Sequence, residues 1–341
     1  MKNWAMFITS TALAAFLALT GVVSASENTF KMSVLAPGTP SNTVLSSFAE
    51  ITNQYVPETL IEVTSGGVAT RHALDAARGT TDFFLSSATI HHFMRESMNM
   101  YQNVEEASLL AENLRSVLNF PIGVYSIFAY LDSGIRSMKD IKGKKIFAGP
   151  PSGGSKAIAT ALIEGMSGLK ANEDFQLVDL NWGEAAEAFE KREFDIYVRL
   201  NNTPDPIINS IARDDQIRFF GLQDTDYKAP RIVEQLRLPG RTLEAIDTRV
   251  YGKNVLNKDP VQSIGSWAGI ATHKDIPKEH VYAMTKAFWE NLDKSEALAS
   301  WMNVIRIDTA LVEMNMPLHP GAQQYYEERG MIIPGNLVAT D

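Results

Sequence analysis

Residues 145–165 read KIFAGPPSGGSKAIATALIEG and hold the groups in this chain best suited to gripping a small anion. A β-type run (Lys145, Ile146, Phe147, Ala148) enters a turn of Gly149, Pro150, Pro151, Ser152, Gly153, Gly154 and Ser155. A helical pattern follows, with Ile158, Ala161, Leu162 and Met166 on one face. A helix leaves its first N–H groups unpaired, and its dipole makes that end positive. An anion set there needs neither a metal nor a catalytic group to hold it. Gly153 and Gly154 let the main chain come close, while Ser152 and Ser155 add hydroxyls. The same letters also suit an ordinary strand-to-helix link with Ser155 as N-cap.

Other chemistries are poorly served. A P-loop needs glycine, lysine, then serine or threonine, whereas here Gly154, Ser155 and Lys156 follow another order. His91 and His92 are adjacent, so in a helix they point about 100° apart and cannot share a metal. The chain has no cysteine, no HExxH and no GxSxG, which removes thiolate sites and the common nucleophile motifs. Trp182 reads as a core aromatic, or as cover for an apolar part of a ligand. No catalytic residue, metal or cofactor is expected.

The elements that would position the turn alternate along the chain. Extended runs fall at residues 30–35, 60–63, 82–85, 126–131, 145–148, 175–180, 195–200, 217–221 and 266–272. Helical faces lie between them, such as Val44, Leu45, Phe48 and Ile51. Such alternation predicts α/β layers. AARGTTDFF (76–84) and FEKREFDIY (189–197) echo each other: each ends a helix in basic residues and enters a strand at Asp82 or Asp195. Two lobes of similar build would produce that echo.

The first residues carry Lys2, an apolar run from Ala12 to Leu19, and small residues before Ser26, the layout of a cleavable signal peptide over residues 1–25. The run is shorter than the roughly 20 residues a spanning helix needs. A periplasmic location is expected. Loss of Lys2 with that segment shifts the formal charge from −9 to −10, which disfavours nucleic acid and anionic lipid as partners. About 316 mature residues predict two lobes rather than one core. The expected division is residues 26–125 with 258–341, and residues 126–257.

Three segments carry a resemblance: LHPGAQQYYEERG (318–330), HVYAMTKAFWE (280–290) and SGIRSMKDIKGKKIFAG (133–149). Together they resemble the TAXI subfamily of substrate-binding proteins of tripartite ATP-independent periplasmic (TRAP) transporters, over residues 30–334. The resemblance implies a two-lobed periplasmic binding protein of the type II-like α/β class, with a ligand cleft between the lobes. It implies a small organic acid as ligand, of which glutamate and 2-oxoglutarate are examples. It also implies a TRAP membrane permease as partner, driven by an ion gradient rather than ATP, and the chain is expected to act as a monomer.

The resemblance places pocket segments at APGTPS (36–41, with Thr39 and Ser41), SGG (65–67, with Ser65 and Gly67), Ser87, the turn with Ser152, Gly153 and Ser155, and NNTP (201–204, with Asn201, Asn202 and Pro204). All but the turn depart from the family pattern in part: glycines and a tyrosine are missing from the first, Val68 stands where a serine is typical, Ser87 occupies a position often held by glutamine, and NNTP replaces a glycine-containing loop but retains Pro204. Leu243 also stands where a tyrosine is usual. Arg199, near the end of an apolar strand, is a candidate to grip a carboxylate through two hydrogen bonds, or else a surface ion pair. Arg71 is a second candidate, or an exposed helix residue. Two other functions stay open: a ligand-sensing partner of a membrane receptor or sensor kinase, and a periplasmic α/β enzyme.

Overall fold

The computed structural model describes residues 28–151, 153–294 and 300–339. The signal-peptide segment and Ser152 lie outside the described residues.

Each lobe is built on three parallel strands and one antiparallel strand. In the first, β1 (Asn28–Val34) sits between β2 (Thr59–Ser65) and β3 (Phe83–Ser86), and a long later strand closes the set antiparallel to β3. That strand, β10 (Val261–His273), comes from far along the chain. In the second, β5 (Lys145–Phe147) sits between β6 (Gln176–Leu177) and β7 (Ile196–Asn201). Here β4 (Leu114–Tyr130) closes the set antiparallel to β7. Since β4 and β10 also pair with each other, all ten strands join in one sheet. β8 (Ile217–Phe220) adds to β4, and β9 (Arg241–Ile246) adds to β10.

The expected echo is a structural repeat. Helix α2 (Ala69–Ala77) ends through Gly79 at φ +71°, and α6 (Trp182–Glu190) through Arg192 at φ +61°. The Lys31 N–H then donates to Asp82 Oδ2 at 2.7 Å, and the Lys145 N–H donates to Asp195 Oδ2 at 2.8 Å. In return Asp82 N–H donates to Lys31 O, and Asp195 N–H to Lys145 O. Both links pin a helix-to-strand turn to the central parallel strand of its lobe.

β4 runs without a break through Pro121 and Gly123, so it is far longer than the run at residues 126–131 predicts. Leu114 to Val124 pair with β10, while Val124 to Ala129 pair with β7. The chain crosses between lobes at Gly123 with φ +113°. A Cβ there would stand 2.2 Å from the carbonyl of Asn201, so only glycine lets β7 approach. β9 has no counterpart among the expected strands. Its pattern of buried ends around exposed Leu243, Glu244 and Ala245 is that of an edge strand, which lacks a strong apolar signature.

Apolar cores lie on both sides of each lobe's sheet. Phe48, Phe83, Phe120, Phe288 and Tyr326 belong to one cluster of the first lobe. Ile146, Leu162, Ile163 and Val198 form a cluster of the second, which also takes in Ile264 of β10. Helix α9 (Lys278–Asn291) and α10 (Pro320–Glu328) pack together over the first lobe.

Candidate functional site

A cavity of about 580 Å³ lies where the lobes face each other. Six helices present their first residues or caps to it. From the first lobe come α1 (Pro40–Tyr55) with Thr39 and Ser41, α2 with Val68 and Ala69, and α3 (Ala88–Arg95) with Ser87 and Thr89. From the second come α5 (Gly154–Ser167) with Gly153 and Ser155, α6 with Asn181 and Trp182, and α7 (Pro206–Asp214) with Ile207. Such an end is positive and carries N–H groups without intrahelical acceptors, so the ends of α1, α2, α3 and α5 reinforce one another, while Asp205 and Glu184 carboxylates already meet those of α7 and α6.

The turn at Gly149 brings the start of α5 to the cavity. Gly149 has φ +120°, and α5 begins at Gly154 with Gly153 as its cap. The expected N-cap, Ser155, is therefore inside the first turn and caps nothing. Ser87 is the cap of α3, yet its hydroxyl makes no capping hydrogen bond. Thr39, by contrast, accepts from Asn42 N–H at 3.3 Å and donates to Ala36 O at 3.0 Å. Gly67, at φ +71°, lines the cavity, where a Cβ would stand 2.8 Å from His72 Nε2.

Of the expected site residues, Thr39, Ser41, Gly67, Ser87, Gly153, Ser155 and Arg199 meet at this cavity. Ser65, Arg71, Asn201, Asn202 and Pro204 are not on its wall. Ser65 ends β2 exposed to solvent. Arg71 lies on the outer face of α2, 64 % exposed, with Asp75 2.9 Å away. Asn201 is buried where β7 passes Gly123, so its place is structural. Trp182, weighed as a core residue, is half-buried and faces the cavity, its ring edge-on to Phe147 at 5.3 Å.

Arg199 enters the wall already neutralised. Its Nη2 lies 3.0 Å from Asp205 Oδ2 and its Nη1 2.9 Å from the Tyr197 hydroxyl, all buried. Burial opposes its charge, but Asp205 and Tyr197 outweigh burial and raise its pKa. Asp205 in turn caps α7 by accepting from Ile207 and Ile208 N–H.

Arg241 is the cation that sequence reasoning missed. It opens β9 opposite Ser266 of β10, is only 8 % exposed, and lines the same cavity. Nη1 donates to Gly240 O and to the Ser266 hydroxyl, while Nε is buried with no acceptor. Among the described residues no carboxylate lies within ion-pair distance of it. Burial lowers its pKa, with Tyr125 and Glu313 opposing, yet a guanidinium keeps its proton. A proline–glycine turn (Pro239, Gly240) ahead of an arginine that opens a strand is the sole local signal for it. The cavity wall among the described residues holds no Asp, Glu, Lys or His; Asp205 offsets Arg199 from behind it, and Glu313, which accepts from the Gly240 N–H at 2.9 Å, lies near Arg241 without an ion-pair contact.

The sequence model of the NMT1-like family matches residues 87–330. The chain belongs to that family. The segments 133–149, 280–290 and 318–330 of this NMT1-like chain all fall within the matched region. The NMT1-like chain is also similar to solved structures. One is the alkanesulfonate-binding protein of Xanthomonas axonopodis pv. citri bound to MOPS, at 12 % identity and TM-score 0.47, over 88 % of this chain and 83 % of that one. A second is a TRAP periplasmic solute-binding protein of Sulfitobacter sp. NAS-14.1 with bound β-D-galacturonate, at 13 % identity and TM-score 0.45, over 89 % and 96 %. A third is a TRAP periplasmic solute-binding protein of Chromohalobacter salexigens with bound D-glucuronate, at 12 % identity and TM-score 0.43, over 88 % and 84 %. Among the described residues no helix is long and apolar enough to cross a membrane.

Proposed function

We propose that the protein is a periplasmic solute-binding protein of the TAXI type, which holds a small organic acid between its lobes and hands it to a TRAP membrane permease. The observation that carries this reading is Arg241, a buried cation with no carboxylate in ion-pair contact, in a cavity ringed by helix N-termini. A charge left in such a place is costly unless something pairs with it. A bound anion supplies that pair, and the helix ends add to the same field. The resemblance in segments 133–149, 280–290 and 318–330 supports the transport assignment, and so does the repeated build of two facing lobes.

In this proposal residues 1–25 export the chain, residues 26–125 and 258–341 form one lobe, and residues 126–257 form the other. Strands β4 and β10 connect the lobes and act as the hinge. Ligand contacts drawn from both lobes favour the closed arrangement, so binding shifts a population that the permease then reads. No bond of the ligand changes.

Thermal unfolding in the presence of small acids tests the proposal. Saturation near 100 times Kd raises stability by about 2.7 kcal/mol. Stabilisation by neutral or cationic compounds and by no acid would refute it.

A further inference from the structure

The cavity wall also restricts which acid fits. Arg199 is paired with Asp205, so Arg241 is left to balance one negative charge. A second carboxylate on the ligand would lose its water for the partial charges of helix ends alone, with no second full cation to meet it. An ammonium group fares no better, because the described wall offers no Asp or Glu to receive it.

Away from Arg241 the wall is mainly apolar. Ile90 and Phe93 project from α3, and Ile122 from β4, on the side of the first lobe. Ile158, Trp182 and Ile207 face them from the second. The two surfaces come close: a Cβ placed on Gly154 would be 3.6 Å from Ile90. A volume of about 580 Å³ falls in the size range that encloses whole organic molecules.

We infer that the ligand is an organic monoanion, a single carboxylate or sulfonate head at Arg241 carrying an uncharged, apolar body that both lobes cover. This rests on the binding function proposed above and excludes dicarboxylates and zwitterionic amino acids, glutamate and 2-oxoglutarate included.

Calorimetric titration of the full mature chain tests it with butanoate, hexanoate, octanoate, hexane-1-sulfonate, adipate, glutamate and hexanamide. Affinity should rise about 3- to 4-fold for each methylene, a buried CH₂ being worth about 0.8 kcal/mol. Adipate should bind at least about tenfold more weakly than hexanoate, and hexanamide should not bind. The preference between hexanoate and hexane-1-sulfonate assigns the head group, and either preference supports the inference. Adipate or glutamate binding more tightly than hexanoate overturns the inference and leaves the binding function standing. Silence from every acid overturns both. Arg241→Met should weaken hexanoate binding about 10- to 100-fold, while Arg241→Lys retains part of the affinity. Hexanoate affinity left unchanged by Arg241→Met in a folded protein also overturns the inference.

Discussion

The Asp205 carboxylate lies 3.0 Å from Nη2 of Arg199, and this contact decides which cavity arginine has charge to spare. Arg199, the candidate suggested by its strand position, is spent on its own lobe. Arg241, at the start of an edge strand, has hydroxyl and carbonyl partners and an idle Nε.

Removing Arg241 should separate binding from folding. Arg241→Met is expected to weaken the bound acid by about 10- to 100-fold, the worth of a charge-assisted hydrogen-bonded pair. Its apo form should unfold at the same temperature or higher, because a buried charge without an ion-pair contact has gone. Calorimetry and thermal unfolding read the two effects; unchanged affinity would exclude Arg241 from the ligand.

Arg199→Ala should behave in the opposite way. It strands the buried Asp205 carboxylate and should cost about 3–5 kcal/mol of stability. Arg199→Met combined with Asp205→Asn should recover much of that loss. Denaturant unfolding of the single and double variants checks the coupling, and equal losses in both would show that the pair matters little.

Gly123→Ala should damage the crossing between lobes. The residue sits at φ +113°, and its Cβ would stand 2.2 Å from Asn201 backbone atoms. A loss of about 2–3 kcal/mol is expected from strain and displacement of β7. A melting temperature equal to that of the parent would show that β4 bends freely there.

His319 should make the first lobe acid-sensitive. Its Nδ1 accepts from Gly321 N–H at 3.2 Å, so its proton sits on Nε2 beside Ile276 O at 2.9 Å. Burial lowers its pKa to about 4, with the neighbouring Arg115 adding to the effect against the Ile276 and Lys274 carbonyls. His91 is also lowered to about 4, chiefly by burial. The unfolded chain therefore binds more protons between pH 6.5 and 4, so stability falls as pH drops through that window. Each histidine should contribute about 3 kcal/mol to the decline. His319→Gln should flatten the pH dependence of denaturant unfolding; an unaltered slope would show that His319 is not responsible.

The strand–turn–helix units were legible because their signals are local. Ile158, Ala161, Leu162 and Met166 repeat at helical spacing and are all buried. The echo at Asp82 and Asp195 was legible for the same reason, since each link spans few residues. Pro121 and Gly123 hid the length of β4, because both residues read as breakers while tertiary pairing on two sides holds the strand extended. The site was half legible: Thr39, Gly67, Ser87, Gly153 and Ser155 sit at helix starts, which sequence marks.

By itself the sequence determined the α/β alternation, the lobe repeat and the glycine- and serine-bearing helix starts, since periodicity and turn chemistry act over a few neighbours. Tertiary structure alone decided where charge is left over. Arg199 meets Asp205 because the 202–204 turn folds back, and Arg241 meets the cavity because β9 pairs with β10. Electrostatic partnership depends on distance through space, and spacing along the chain does not encode that distance.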